Sequence, residues 1–187
     1  MGAFKLEDTN LIKKEKKIDK KAIIKEYLLN FIIIGGLAFL ILKFVGHGVY
    51  IPSESMVPTL EVNDRLIVSN VYKPENLKEG DIVTFKCDEY GDKLLIKRLI
   101  GLPGDTIDIK DGVVFRNGKQ LEEKYVENNE YYDGSFEIPE GKYLFLGDNR
   151  ADSDDARYWE NPYVDGKDIE GKVQIRIYPF NKIGKVD

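Results

Sequence analysis

One cysteine and one histidine in 187 residues are the scarcities that exclude most here. A single thiol, Cys87, permits no intramolecular disulfide, and with His47 as its only companion it assembles no Cys/His metal site. Neither a metal nor a cofactor is expected. The lone histidine also limits catalysis: an activated serine or cysteine must use His47 as its base or use a base that is not histidine. Positive charge is short in the main body, where residues 46–187 carry 19 Lys/Arg against 28 Asp/Glu. Such a surface argues against nucleic acid, whose binding is dominated by Lys and Arg contacts to phosphate. Sustained helical periodicity is also missing from Val49 onward.

The first 45 residues have the opposite character, with nine Lys against five Asp/Glu. Lysines crowd positions 13–25, and the run Tyr27–Val45, YLLNFIIIGGLAFLILKFV, is apolar except for Asn30 and Lys43. Nineteen residues at the rise of a helix make about 28 Å, close to the hydrocarbon thickness of a bilayer. Lys43 can snorkel to the interface, and lysines ahead of the span set the N-terminus in the cytoplasm and the remainder outside. A buried core helix would carry a polar stripe, and a cleaved leader would have a shorter polar head and a shorter apolar stretch. The expected organisation is a basic cytoplasmic head over 1–26, a transmembrane helix over 27–45 and an extracytoplasmic body over 46–187. The expected location is the cell membrane, crossed once.

Within the body, short β-rich runs recur at 65–71, 81–86, 94–100, 106–109, 113–116, 142–146 and 173–178. Asp111-Gly112 and Asn117-Gly118 between or after them suit two-residue turns with positive φ. Gly91 and Gly134 punctuate what read as longer loops. Many short strands separated by turns predict a mainly β, antiparallel domain.

Three segments of this body carry candidate chemistry: Pro52-Ser53-Glu54-Ser55-Met56-Val57-Pro58, Lys97-Arg98 with the following Gly101-Leu102-Pro103-Gly104-Asp105, and Gly147-Asp148-Asn149 running on to Arg157. Each has a bland explanation alone: a Ser/Pro turn, a solvated strand edge, an ion-pair loop. A calcium loop at 148–155 is disfavoured by Arg150 within it and by the absence of a bidentate Glu. A lysine can serve as base only when desolvated, because its reference pKa lies near 10.4 and burial disfavours the ammonium. The segment LLIKRLIG supplies apolar neighbours. Strand alternation puts Leu95 and Leu99 on the side of Lys97 and turns Arg98 the other way.

In this order behind an apolar span, and with Gly80–Phe85 reading GDIVTF, the three segments resemble the boxes of type I signal peptidases over nearly the whole chain. The short single-span layout looks like the Gram-positive, lysine-dyad form. The resemblance implies a signal-peptidase-like all-β catalytic domain and a membrane-bound serine endopeptidase cutting signal peptides of exported precursors at small-x-small sites. It implies Ser55 as nucleophile and Lys97 as general base, with Ser53 and the Ser55 amide as oxyanion hole. Ser153 would orient the lysine, Asp155 and Arg157 would form a supporting ion pair shared by Arg98, and Ile51 and Ile96 would line the pockets for small side chains. Ala151 and Ala156 depart from the usual Asp and Ser without touching the dyad. The partners implied are signal peptides and the lipid bilayer.

The same residues fit other enzyme classes less well. A penicillin-binding type of acyl-serine enzyme needs Ser-x-x-Lys and Lys-Thr-Gly, and neither occurs. A self-cleaving regulator would need a DNA-binding module where the span lies. A peptidase or assembly factor dedicated to pilins or other surface fibres is the alternative within the same family.

Overall fold

The computed structural model describes residues 20–44 and 46–186. Most of the basic head, Val45 and Asp187 lie outside the described residues. Two compact units divide at Leu40 and Ile41.

The first unit is built on helix α1, Lys20–Phe44. Its 18-residue window Ile23–Leu40 has a mean hydropathy of 1.8, and none of it is buried. Leu28, Leu29, Phe31, Ile32 and Ile34 are all exposed. A helix with exposed apolar side chains along its length has the length and composition to cross a membrane. It starts earlier than the apolar run at Tyr27, because Lys20, Lys21, Lys25 and Glu26 are good helix formers and extend it outward.

The second unit is two antiparallel sheets. Its strands are β1 (Gly46–Tyr50), β2 (Arg65–Asn70), β3 (Ile82–Cys87), β4 (Gly91–Gly101), β5 (Thr106–Lys110), β6 (Val113–Arg116), β7 (Lys119–Gln120), β8 (Gly134–Glu137), β9 (Lys142–Leu146), β10 (Val164–Asp165) and β11 (Ile169–Tyr178). Seven of them make a sheet in the order β1-β2-β11-β3-β4-β9-β10; the other four follow β7-β6-β5-β8. All seven expected strands are present. The two tight turns are also as expected, with φ of 51° and 77° at Asp111 and Gly112 and of 53° and 76° at Asn117 and Gly118. Gly91 and Gly134 differ from their loop reading, since they open β4 and β8.

Alternation along these strands feeds two apolar clusters. The larger holds Phe85, Leu99, Ile100, Ile107, Val114, Phe145 and Trp159, with Phe85 stacked on Phe145 at 4.3 Å between ring centroids. The smaller gathers Ile51, Met56, Leu60, Leu66, Val68, Ile82 and Val173. Each buried side chain of this size is worth about 1.5–3 kcal/mol of transfer free energy. The second cluster matters for function because three of its members, Ile51, Met56 and Leu60, come from the Ser55 segment. That segment is the connection between β1 and β2, whose ladder it extends by Ile51 N–H to Asp64 C=O (3.0 Å) and Asn63 N–H to Ile51 C=O (2.9 Å). A loop nailed down by its own apolar side chains can hold a reactive group in place.

Candidate active site

Three separate chain segments meet at β4, an interior strand of the seven-stranded sheet. Lys97 stands on β4, opposite Val83 of β3. The 51–64 connection lies to one side, and the segment that follows β9, residues 147–158, lies to the other. Between them is an open cleft of about 860 Å³, lined among others by Ser53, Ser55, Leu95, Lys97, Ser153 and Tyr158. The expected nucleophile and the expected base therefore face one cavity.

Lys97 is 4% exposed. Its amine makes one hydrogen bond among the described residues, to Ser153 Oγ at 3.1 Å. The direction of that bond is fixed by its neighbour. Ser153 O–H donates to Asp155 Oδ2 at 2.8 Å, and a hydroxyl has one proton, so Ser153 can only accept from Lys97. Burial drives the Lys97 amine down from 10.5 to about 8, against the opposing charges of Asp155, Asp154 and Asp148 and with help from Arg157. A lysine so placed is partly neutral near pH 8 and has a lone pair to offer.

Asp155 is wholly buried and fully used. Besides Ser153 it accepts from the Gly147 amide at 2.9 Å and from Arg157 Nε at 2.8 Å and Nη2 at 3.0 Å. Arg157 Nη2 also reaches the Arg150 carbonyl at 2.6 Å. The carboxylate is spent on Arg157 and Ser153 rather than on the lysine, which keeps Lys97 from being locked as an ammonium. Gly147 is required by space. A Cβ there would sit 2.1 Å from Ser153 Oγ and 2.5 Å from the Ser55 carbonyl oxygen.

Arg98 departs from expectation once. It is turned away from the Lys97 side and is 3% exposed, because β4 lies between β3 and β9 and is covered on both faces. It does not share the Asp155–Arg157 pair. It makes a separate bidentate bridge to Asp148, Nε to Oδ1 at 2.9 Å and Nη2 to Oδ2 at 2.7 Å. Nη1 donates to the Gly80 carbonyl at 2.9 Å, and the guanidinium lies 3.8 Å from the centroid of the Tyr125 ring. Asp148 also accepts from the Thr59 hydroxyl, so this bridge braces the far end of the Ser55 connection.

Ile51 and Ile96 do not line the open cleft. Ile51 is 1% exposed, because the extended β1–β2 ladder turns it into the smaller apolar cluster, against which the half-buried Ile96 also packs. The apolar side chains in the cleft wall are instead Leu95, Tyr90, Ala151 and Tyr158. Five carboxylates, of Glu54, Glu89, Glu130, Asp152 and Asp154, share the rim. His47 is remote from this machinery in sequence and bonds on β1 to Asn70 Oδ1 at 3.2 Å.

Two contributors were not singled out in the sequence. Asn149 holds the backbone at Ser55, its amide donating to the Ser55 carbonyl at 3.1 Å and its Nδ2 to the Glu54 carbonyl at 3.1 Å. Arg150, 2% exposed, donates through Nε to the Gly147 carbonyl at 3.0 Å and is bridged to Glu123. The only trace of either in the sequence is the Gly147-Asp148-Asn149-Arg150 string itself.

Comparison with known proteins gives a consistent answer. Residues 24–178 match the family described as signal peptidase, peptidase S26. The signal peptidase I of Leptolyngbya laminosa is 42% identical over 159 residues, which span 80% of this chain and 77% of the relative. The signal peptidase IB of Staphylococcus aureus (strain Mu50 / ATCC 700699) is 36% identical over 182 residues, spanning 84% and 93%. Among solved structures, a signal peptidase I from Enterococcus faecalis V583 is 35% identical, covering 52% of this chain and 96% of its own, with a TM-score of 0.45.

Proposed function

The chain belongs to the signal peptidase family, peptidase S26, and from that premise we propose that it removes signal peptides from exported precursors with Ser55 as nucleophile and Lys97 as general base. The observation that carries the dyad is the state of Lys97. It is buried, drawn down to about 8 by desolvation, hydrogen-bonded to an accepting Ser153 Oγ, and it shares a cleft with Ser55.

The reaction follows from those parts. Neutral Lys97 takes the proton of Ser55 as Oγ attacks the scissile carbonyl. The negative charge that develops on the carbonyl oxygen is met by the Ser55 N–H and the Ser53 hydroxyl. Neither Ser55 group takes part in another hydrogen bond among the described residues. Collapse of the tetrahedral intermediate breaks the C–N bond, and the Lys97 ammonium returns its proton to the leaving amine. The acyl-serine is then hydrolysed by a water that gives a proton to the same lysine, which passes it to Ser55 Oγ as the ester C–O bond breaks. Ser153, Asp155 and Arg157 orient the amine, and Arg98 steadies the nucleophile's segment through Asp148. A small substrate side chain is read by the apolar cleft wall of Tyr90, Leu95, Ala151 and Tyr158 rather than by Ile51 and Ile96.

The same reading makes the protein a single-pass component of the cell membrane, its head cytoplasmic and its catalytic body outside. Its partners are then the bilayer and the signal peptides held in it. Ser55 follows Phe44 closely enough that an extended chain keeps it within roughly 40 Å of the helix end. That tether concentrates the site where membrane-bound substrates end their apolar stretch. The test is cleavage of a precursor bearing an Ala-x-Ala site by the detergent-solubilised full chain. Wild type should cut after the second Ala, and Ser55→Ala and Lys97→Arg should each lose at least about a thousandfold. Cutting by either variant at the wild-type rate would remove the dyad.

A further inference from the structure

Among the described residues, one outside the dyad's own hydrogen-bond chain grips the backbone on both sides of Ser55. We infer that Asn149 is a positioning residue that aims the oxyanion-hole amide, and that Asn128 sets the orientation in which it does so; this rests on the Ser55–Lys97 reading above. The peptide unit in question is Glu54–Ser55. Its N–H is the one assigned to the oxyanion, and its C=O accepts Asn149 Nδ2 at 3.1 Å and the Val57 amide at 3.0 Å. Fixing a carbonyl fixes the plane of its peptide, and so the direction of the N–H at the other end. A carbonyl that accepts hydrogen bonds also polarises its own N–H into a better donor. The next peptide is held as well, since the Asn149 amide donates to the Ser55 carbonyl at 3.1 Å. Asn149 thus clamps the two peptides that flank the nucleophile, and at 6% exposure it has little freedom of its own.

The side-chain amide of Asn149 could sit either way round, and chemistry selects one way. The Glu54 carbonyl only accepts, so Nδ2 must face it and Oδ1 must face the opposite side. There Oδ1 receives Asn128 Nδ2 at 2.7 Å. Asn128 is exposed, lies on the loop between β7 and β8, and is anchored by its own carbonyl, which accepts the Ala151 amide at 3.1 Å. It touches neither nucleophile nor base. Its donor holds the acceptor end of Asn149 away from Glu54.

The experiment measures kcat and KM on an Ala-x-Ala precursor, and inhibition by two peptides of the same sequence. One peptide ends in an aldehyde, which forms a tetrahedral adduct; the other ends in the product carboxylate. Asn149→Ala should lower kcat by about ten- to a hundredfold, the scale of a weakened oxyanion donor. It should weaken the aldehyde by the same factor, while KM and the product's inhibition constant move less than about twofold. The acid limb of the pH profile should stay at the wild-type position, because the Lys97 environment is untouched. Asn128→Ala should lose severalfold. Asn128→Asp should lose more than Asn128→Ala, because a carboxylate there attracts Nδ2 of Asn149 and turns Oδ1 onto the Glu54 carbonyl. A residue that merely fills space would give the reverse order, since Asp is the closer isostere. Wild-type kcat in Asn149→Ala, a loss carried by KM alone, or Asn128→Asp as active as Asn128→Ala would each overturn the proposal while leaving the dyad standing. Full activity in Ser55→Ala would overturn both.

Discussion

Lys97 and Arg98 are neighbours on one strand, both cationic by nature and buried to within a percentage point of each other, yet the structure treats them in opposite ways. Burial pulls the Arg98 guanidinium down, but hydrogen bonds and charge from Asp148 outweigh it and hold the group above its ordinary value. Lys97 receives no carboxylate contact within bonding distance, and burial wins. The lesson is that the partner, not the depth, decides whether a buried cation stays a charge or becomes a base. Asp155 is linked to the amine through Ser153, which relays a hydrogen bond without relaying a full charge.

The contrast is broken hardest by putting the same apolar residue at each position. Arg98→Met leaves the wholly buried Asp148 without its partner and should cost about 3–5 kcal/mol, read as a fall in the urea midpoint of the detergent-solubilised chain. Lys97→Met should do the reverse. The native amine holds its proton less tightly than the unfolded one, so the unfolded state binds more protons between pH 8 and 10.5. Wild-type stability must therefore rise with pH across that window, and the burial penalty is complete below it. The Met variant, inactive, should gain about 1–3 kcal/mol at pH 7 and lose that advantage above pH 10.5.

Smaller changes sharpen the same comparison. Ser153→Ala removes the relay but neither dyad member; it should cost at most about a hundredfold in kcat with KM little changed, the scale of a misplaced catalytic group. Asp154→Asn should be the mildest. Asp154 is exposed and its charge favours the Lys97 ammonium. Without it the acid limb of kcat/KM, expected near pH 8 in wild type, should move to lower pH by less than about one unit.

The sequence made half of this contrast readable. LLIKRLIG announces a lysine among apolar neighbours, and alternation correctly puts Lys97 and Arg98 on opposite faces. It does not say that the second face is also covered, because that depends on β9 and on a carboxylate fifty positions away. Asp148, Asn149 and Arg150 look like any polar turn until their partners, Arg98, Glu54 and Glu123, are brought beside them by the fold. Strand β1 escaped notice for a different reason: GHGVY is glycine-rich and has no alternation, and it becomes a strand only by pairing along β2. Trp159 is core, 6% exposed and edge-on to Phe85. Its neighbour Tyr158 stays exposed, at the cleft, hydrogen-bonded to Glu130.

The strand order of the larger sheet has a consequence for the making of the enzyme. β2, which carries the exit of the Ser55 connection, and β3–β4, which carry Lys97, do not pair with each other; β11 lies between them and pairs with both. β11 is also the strand that follows all the others along the chain. During translation, the sheet pieces that carry Ser55 and Lys97 therefore gain their shared backbone ladder only when β11 is inserted, a long-range and intrinsically late event.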